Sequence, residues 1–400
     1  MGKIQFNRED LPLKILNYSS FLQYQRFVMP ISFLFYLHNG LTFSDFILFQ
    51  SIFNITCLCA KIPMGFLGDI FSKKYILIFS YFLFLLRVLL WICFSGFWVI
   101  LAGEILYGLF KAFYRGNVDS YIYEWLEKSK NEKKMLPDYG KLSFYTSMGS
   151  AVSCFAGVIL FKYFDFKILL YIELVMQIFA ISALFFLPNI KAKKTARCNC
   201  LKVIWESICS IIKNTKINYY TYYSAILTGL TSVFVWNFQP LLKLSAAPVF
   251  FYGIINFVNQ FLRGMGGLFA KQVVEYTQKY KLIKIEYLSV IVSFLLLLWA
   301  HHLKNYILVT TCLLVICFAI FMFVVFNIFT VSKIHENTQN ENRATTSSTN
   351  TFFGDFSSFL LLLVFKFLYD GFGFINAMLI FLGLFIILLF PRKSILDKAS

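Results

Sequence analysis

Twelve times along this chain, an apolar run of about 18 residues or more gives way to a polar break. The runs cover roughly 13–37, 43–67, 75–95, 98–124, 141–161, 168–188, 219–242, 249–270, 282–300, 306–332, 351–369 and 372–390. Such a run crosses the hydrocarbon core as a helix, because no water is present there to bond an open backbone. A water-soluble fold cannot absorb so many. Hydrophobic residues make up 59% of the chain and charged residues only 14%, too little polar side chain for a water-facing surface. The expected fold is an all-α integral membrane protein with twelve transmembrane helices. The first run lacks the short apolar region and small-residue cleavage site of a secretory signal, so it reads as a retained helix.

Loop charge orients the helices. Lys3, Arg8 and Lys14 precede or open the first run, and every second loop is basic: Lys73 and Lys74; Lys128, Lys130, Lys133, Lys134 and Lys141; Lys191, Lys193, Lys194, Arg197, Lys202, Lys213 and Lys216. Lys271, Lys279, Lys281 and Lys284, then Lys333 and Arg343, then Arg392, Lys393 and Lys398 continue the alternation. The opposite loops hold only Lys162, Lys167, Lys243, Lys304 and Lys366. Basic loops stay in the cytoplasm, so both termini are expected there, in the inner or plasma membrane. The same asymmetry accounts for the formal net charge of +17 without a nucleic-acid partner.

The longest polar segment, 189–218, divides the chain into six-helix halves, 1–188 and 219–400, the second ending in a short cytoplasmic tail. Two such halves facing each other would enclose a central cavity. One chain suffices to build it, so a monomer is expected.

The loop after the second run reads GFLGDIFSKK. Gly65 and Gly68 allow close helix approach. Asp69 stands at a helix end, where it can bond a basic side chain or a helix N-terminus across the bundle. This stretch resembles the loop signature of the major facilitator superfamily, Gly-x-x-x-Asp-Arg-x-Gly-Arg-Arg. Gly65, Asp69, Lys73 and Lys74 fall on matching positions, while Ile70 and Ser72 depart from it. KIPMGFLGD and YRGNVDSYIYEWL, with Gly116, Asp119, Tyr123 and Glu124, are similar to segments of a drug-efflux-type bacterial branch, as are WNFQPLL and RATTSS. The resemblance implies two six-helix pseudo-symmetric halves that rock around a solute site. It also implies a latch of Gly65, Gly68, Asp69, Lys73, Lys74 and Glu124; the alternative is a plain topogenic turn. Glu104 stands where many drug antiporters carry Arg, and the fifth run has Gly149 and Gly157 but no Gly-Pro element; both departures count against proton-antiport drug export.

Charges inside the runs need an interior. An ionisable group at the bilayer centre costs roughly 2.5–3.5 kcal/mol on insertion scales. The fourth run carries Glu104, Lys111, Arg115, Asp119 and Glu124. Lys111, Arg115 and Asp119 share one face at i, i+4, i+8. They are candidates for a solute or proton path, or for a structural ion-pair ladder. Arg87 is expected to pair with Glu173 or Glu104, as structure rather than solute contact. Arg26 and Arg263 have no local acid and offer bidentate bonding to a carboxylate or phosphate. Trp236, Gln239, Asn256, Asn259 and Gln260 complete the candidate solute path; the alternative for the amides is interhelical hydrogen bonding.

The positive centre points to an anionic, zwitterionic or carboxylate-bearing solute. The leading expectation is a secondary transporter for proton-coupled export of a small amphiphilic or anionic compound. Uptake of an organic anion, nutrient or metal chelate is an alternative, and a non-transporting sensor or scaffold is another. No phosphate loop, nucleophile–base constellation or metal-ligand set is visible, so no enzyme, cofactor or metal is expected. Cys198 and Cys200 form a lone pair, read as reduced thiols. His301 and His302 are expected at a solvated outer turn.

Overall fold

The computed structural model describes residues 11–129, 135–190, 215–276, 279–303, 305–336 and 343–389, without side chains at 62–70 and some residues at helix ends. Cys198, Cys200 and most of the 189–218 linker lie outside them. The described residues form helices joined by short turns. They are α1 (Leu11–Gln23), a 3₁₀ turn (Met29–Ile31), α2 (Ser32–His38), α3 (Phe43–Ile70), α4 (Lys73–Cys93), α5 (Phe97–Lys128), α6 (Met135–Phe161) and α7 (Phe166–Phe185). The second half holds α8 (Thr215–Leu244), α9 (Val249–Tyr276), α10 (Lys279–His302), α11 (Tyr306–Glu336) and α12 (Arg343–Leu389).

Nine of these helices are long and apolar enough to span a membrane by themselves, among the described residues. They account for ten of the twelve crossings, because α12 is a hairpin. Gly373 has φ 78° and ψ 174°, and the ring of Phe365 lies 5.8 Å from that of Phe381, sixteen positions on. In a straight helix those residues would be about 24 Å apart. Glycine carries no Cβ to oppose the positive φ, so the chain reverses on one residue. The other two crossings are α9, whose Asn256, Asn259, Gln260 and Arg263 dilute its apolarity, and the broken pair α1–α2.

The first crossing corrects the expectation of one helix over 13–37. Helix α1 stops at Gln23, and Tyr24–Val28 is non-helical before the 3₁₀ turn. Pro30 supplies the reason: it has no N–H to give and its ring opposes the carbonyl four residues earlier. The freed backbone is bonded by α7. Glu173 Oε1 accepts from the Val28 amide at 2.8 Å, and Gln177 Nε2 donates to the Gln23 carbonyl at 3.2 Å. Irregular backbone at membrane depth survives only when protein groups satisfy it in this way. Glu173→Leu should therefore cost about 1–3 kcal/mol in thermal unfolding, the penalty of a stranded buried amide. Glu173→Gln keeps an acceptor oxygen and should retain most of the stability; equal losses would show that the charge, not the acceptor, is what the break needs.

Both halves pack by one scheme. In the first, α4 packs on α5, α5 on α3 and α1 on α6; in the second, α10 packs on α11, α11 on α9 and α8 on the first arm of α12. The seams between halves also correspond: α3 lies along α12, and α6 lies along α9. Small residues permit that approach. A Cβ on Gly253 of α9 would fall 2.2 Å from Val158 of α6.

Candidate functional site

The two ends of the bundle differ. The end carrying the sparsely charged loops is closed. There Gln239 of α8 donates from Nε2 to the Met29 carbonyl at 2.9 Å and accepts at Oε1 from the Phe33 amide at 2.8 Å. Its amide also lies 3.3–3.4 Å from the Ser32 hydroxyl. Asn256 Nδ2 reaches the Pro30 carbonyl at 3.5 Å. Phe46 meets Trp236 edge-on at 5.6 Å, and Phe43 meets Tyr369 at 4.5 Å. The broken first crossing thus presents its 29–33 backbone to the opposite half.

Beside the break lies a partly open cavity with about 480 Å³ of empty volume, lined by residues that include Arg26, Gln50, Arg87, Glu104, Tyr107, Glu173 and Trp236. Arg26 donates to the Tyr107 hydroxyl. Its guanidinium stands 4.4 Å from the Tyr24 ring, 4.7 Å from Tyr107 and 4.9 Å from Phe84. Such stacking suits a weakly hydrated, permanently charged group held away from water. Arg87 lies 3.7 Å over the Trp91 ring, and its Nη2 is 3.3 Å from Glu104 Oε1. The same carboxylate oxygen accepts from the Tyr36 hydroxyl at 2.9 Å. Of the two acids expected for Arg87, Glu104 forms the ion pair, while Glu173 holds the Val28 amide.

Toward the opposite, basic end lies a second polar region between the halves. Arg115 is exposed, although its electrostatic neighbours Asp355, Tyr24, Tyr139 and Cys57 come from α12, the break, α6 and α3. With these neighbours, the exposed guanidinium faces the space between helices, here called the vestibule. Lys61 Nζ of α3 bonds Asp355 Oδ2 of α12 at 2.5 Å and so ties one half to the other. Lys111 and Arg115 also lie within electrostatic reach of Asp355, and Lys111 Nζ stands 4.6 Å from the Phe53 ring. Asp119 lies within reach of Arg115. Arg263 of α9 faces Arg115, Tyr24 and Tyr107, and makes no ion pair among the described residues. The described part of the vestibule therefore gathers Lys61, Lys111, Arg115 and Arg263 around Asp119 and Asp355.

The sequence candidates divide accordingly. Lys111, Arg115, Asp119 and Arg263 meet in the vestibule. Arg26, Arg87, Glu104 and Glu173 meet at the break. Gln239 and Asn256 bond the backbone of the other half, which is the interhelical alternative for these two amides. Gln260 Nε2 lies 3.9 Å from Met29 Sδ, and the Asn259 Oδ1 is buried without a hydrogen-bond partner. In the candidate latch, Lys74 Nζ donates to the Phe185 carbonyl of its own half at 2.7 Å. Lys73 is buried and Glu124 is partly buried, both on the described helices. Gly65, Gly68 and Asp69 lie in the helical stretch whose side chains are outside the described residues. His301 and His302 end α10: His302 is exposed, and His301 is partly buried with its ring stacked on Phe374 at 4.7 Å. No group of three or more metal-ligating side chains occurs among the described residues.

Sequence reasoning missed Asp355, Tyr107 and Gln50. Asp355 had a legible signal, a lone carboxylate within the eleventh apolar run. Tyr107 and Gln50 had none, because polar or aromatic residues in a buried helix do not announce which neighbour they face.

The family model of the Major Facilitator Superfamily matches residues 18–362. No curated protein matches the chain. Among solved structures, the nucleoside transporter NupG superposes with a TM-score of 0.76 at 15% identity, covering 97% of this chain and 99% of that one. The human organic anion transporter MFSD10 gives 0.64 at 12% identity, covering 96% and 99%. A POT family transporter crystallised with a thioalcohol-conjugated peptide gives 0.72 at 10% identity, covering 96% of each chain. At these identities the likeness is one of fold, and the family match extends over most of the sequence: the chain belongs to the Major Facilitator Superfamily of membrane transporters.

Proposed function

We propose that this transporter moves a small solute bearing a carboxylate or comparable anionic group by alternating access, exporting it from the cytoplasm in exchange for protons. The observation that carries the reading is the vestibule charge: Lys61, Lys111, Arg115 and Arg263 against Asp119 and Asp355, with Arg263 unpaired among the described residues. Like charges gathered on one wall between the halves repel one another, and an anion that joins them relieves the repulsion. The basic loops favour a cytoplasmic position for the vestibule end, where an export substrate would enter. Asp119, on the vestibule wall one helical turn from Arg115, is the group for proton exchange, because solute arrival at Arg115 changes the field at its carboxylate. The latch of Gly65, Gly68, Asp69, Lys73, Lys74 and Glu124 would hold the cytoplasmic ends of one state, with the monomer as the working unit.

Purified protein in liposomes with a pH-sensitive dye inside and an imposed pH gradient tests this reading. The panel is amphiphilic drugs, organic acids and metal chelates. An organic acid is expected to dissipate the gradient. Asp119→Asn should abolish that response, and Arg263→Ala should reduce it about tenfold or more at equal reconstitution, the loss of one charged hydrogen bond. Transport of cationic drugs with no response to any acid would reject the anionic reading. Net uptake of an acid would replace export by a permease role.

A further inference from the structure

We infer that the cavity beside the broken first crossing is a binding subsite for a compact zwitterion with an apolar body, its carboxylate held by Arg26 and its ammonium by Glu104. The inference rests on the proposed transport of a carboxylate-bearing solute and names its class. The vestibule alone asks only for negative charge. The cavity asks for both signs.

Four observations carry it. Arg26 is 6% exposed and Glu104 is 3% exposed, and both line the cavity. Arg26 uses Nη1 on Tyr107, leaving Nε and Nη2 with no hydrogen-bond partner. Glu104 gives Oε1 to both Arg87 and Tyr36, leaving Oε2 with none. Gln50 Oε1, on the same wall, is a second unpartnered acceptor. Buried donors and acceptors of this kind are costly when unpaired and cheap when a ligand completes them. Beside Arg87 Nε and Trp91 Nε1, the unpaired groups lining the cavity are donors of Arg26 and acceptors of Glu104 and Gln50, so both signs await a partner there.

The empty volume of about 480 Å³ counts space open to solvent and is an upper bound, which excludes a large molecule. Tyr107 and, from the opposite half, Trp236 give it aromatic walls. Because Trp236 belongs to α8 and the two charged groups to the first half, a bound molecule touches both halves. Binding energy at that place differs between conformations, which is the requirement for a ligand to shift them.

Isothermal titration of the detergent-purified full chain tests the subsite with three probes sharing one ring: L-phenylalanine, phenethylamine and 3-phenylpropionate. L-Phenylalanine is expected to bind at least about tenfold more tightly than either single-charge probe, since each lost charged hydrogen bond corresponds to about that factor. Arg26→Gln should bring L-phenylalanine down to the affinity of phenethylamine. Glu104→Gln should bring it down to that of 3-phenylpropionate. Should Glu104→Gln fail to give monodisperse protein, Gln50→Met leaves the Arg87–Glu104 pair in place. It should weaken the two ammonium-bearing probes and spare 3-phenylpropionate. The inference is overturned if 3-phenylpropionate binds as tightly as L-phenylalanine, if none of the probes binds, or if the variants leave the order of affinities unchanged. Acid transport in liposomes without probe binding would sink the subsite alone. Probe binding without any acid transport would sink the export reading alone.

Discussion

Asp355→Asn is expected to reduce transport at least about tenfold and to cost about 3–5 kcal/mol of stability, while Lys61→Met at the other end of the same ion pair costs far less. The asymmetry follows from the neighbours. Asp355 is 6% exposed and serves Lys61 directly, with Lys111 and Arg115 within reach. Removing its charge leaves Lys61, Lys111 and Arg115 with no acid between them, and breaking a buried pair in that direction is the expensive one. Removing Lys61 leaves Asp355 with Lys111 and Arg115. Exchanging the two residues should not rescue function, because a lysine at 355 would sit against Lys111 and Arg115. Thermal unfolding and liposome flux for the four proteins, wild type, two singles and the exchange, decide it. Equal losses for the two single changes would mean that the pair stands isolated from the vestibule charge.

Gly157→Val should prevent accumulation of folded protein, whereas Gly140→Ala on the same helix should be neutral or stabilising. A Cβ at Gly157 would lie 2.3 Å from the Phe27 carbonyl oxygen, in the broken segment, and one at Gly149 would lie 2.3 Å from that of Phe21. Backbone cannot retreat there as a flexible side chain would. Overpacking of a fitted interior costs about 1–3 kcal/mol and more where nothing yields, and here it also dislodges the segment that carries Arg26. Gly140 has open space around the same position, so alanine gains about 0.5–1 kcal/mol of helix stability. Expression yield and size-exclusion profiles of the two variants give the contrast. A well-folded Gly157→Val protein would show that the broken segment and α6 can separate without loss.

The crossings were legible because each rests on one strong physical demand, about 20 apolar residues with internally bonded backbone. That demand is local, so a linear reading finds it. The break at Tyr24–Val28 escaped it. Pro30 marked a possible interruption, but its repair comes from Glu173 and Gln177, about 150 residues away. The interior charges were legible for the same reason as the helices: Lys111, Arg115, Asp119 and Arg263 cannot face lipid. Which partner each takes was not. Arg87 had two acids at one depth, and depth along a helix does not tell azimuth. The Lys61–Asp355 bond joins residues 294 positions apart on different halves, and only the packing of α3 against α12 brings them together.

The clasp formed by Gln239 has a consequence for how this protein can vary. Its amide recognises the Met29 carbonyl and the Phe33 amide, together with the Ser32 hydroxyl. Two of those three partners are main-chain groups that every residue type but proline can present. Substitutions at Met29 and Phe33 that keep the bend can therefore drift without loosening the closed end, while position 239 must stay an amide of that length. In a saturation library, tolerance should be broad on the side that supplies the backbone and narrow on the side that reads it.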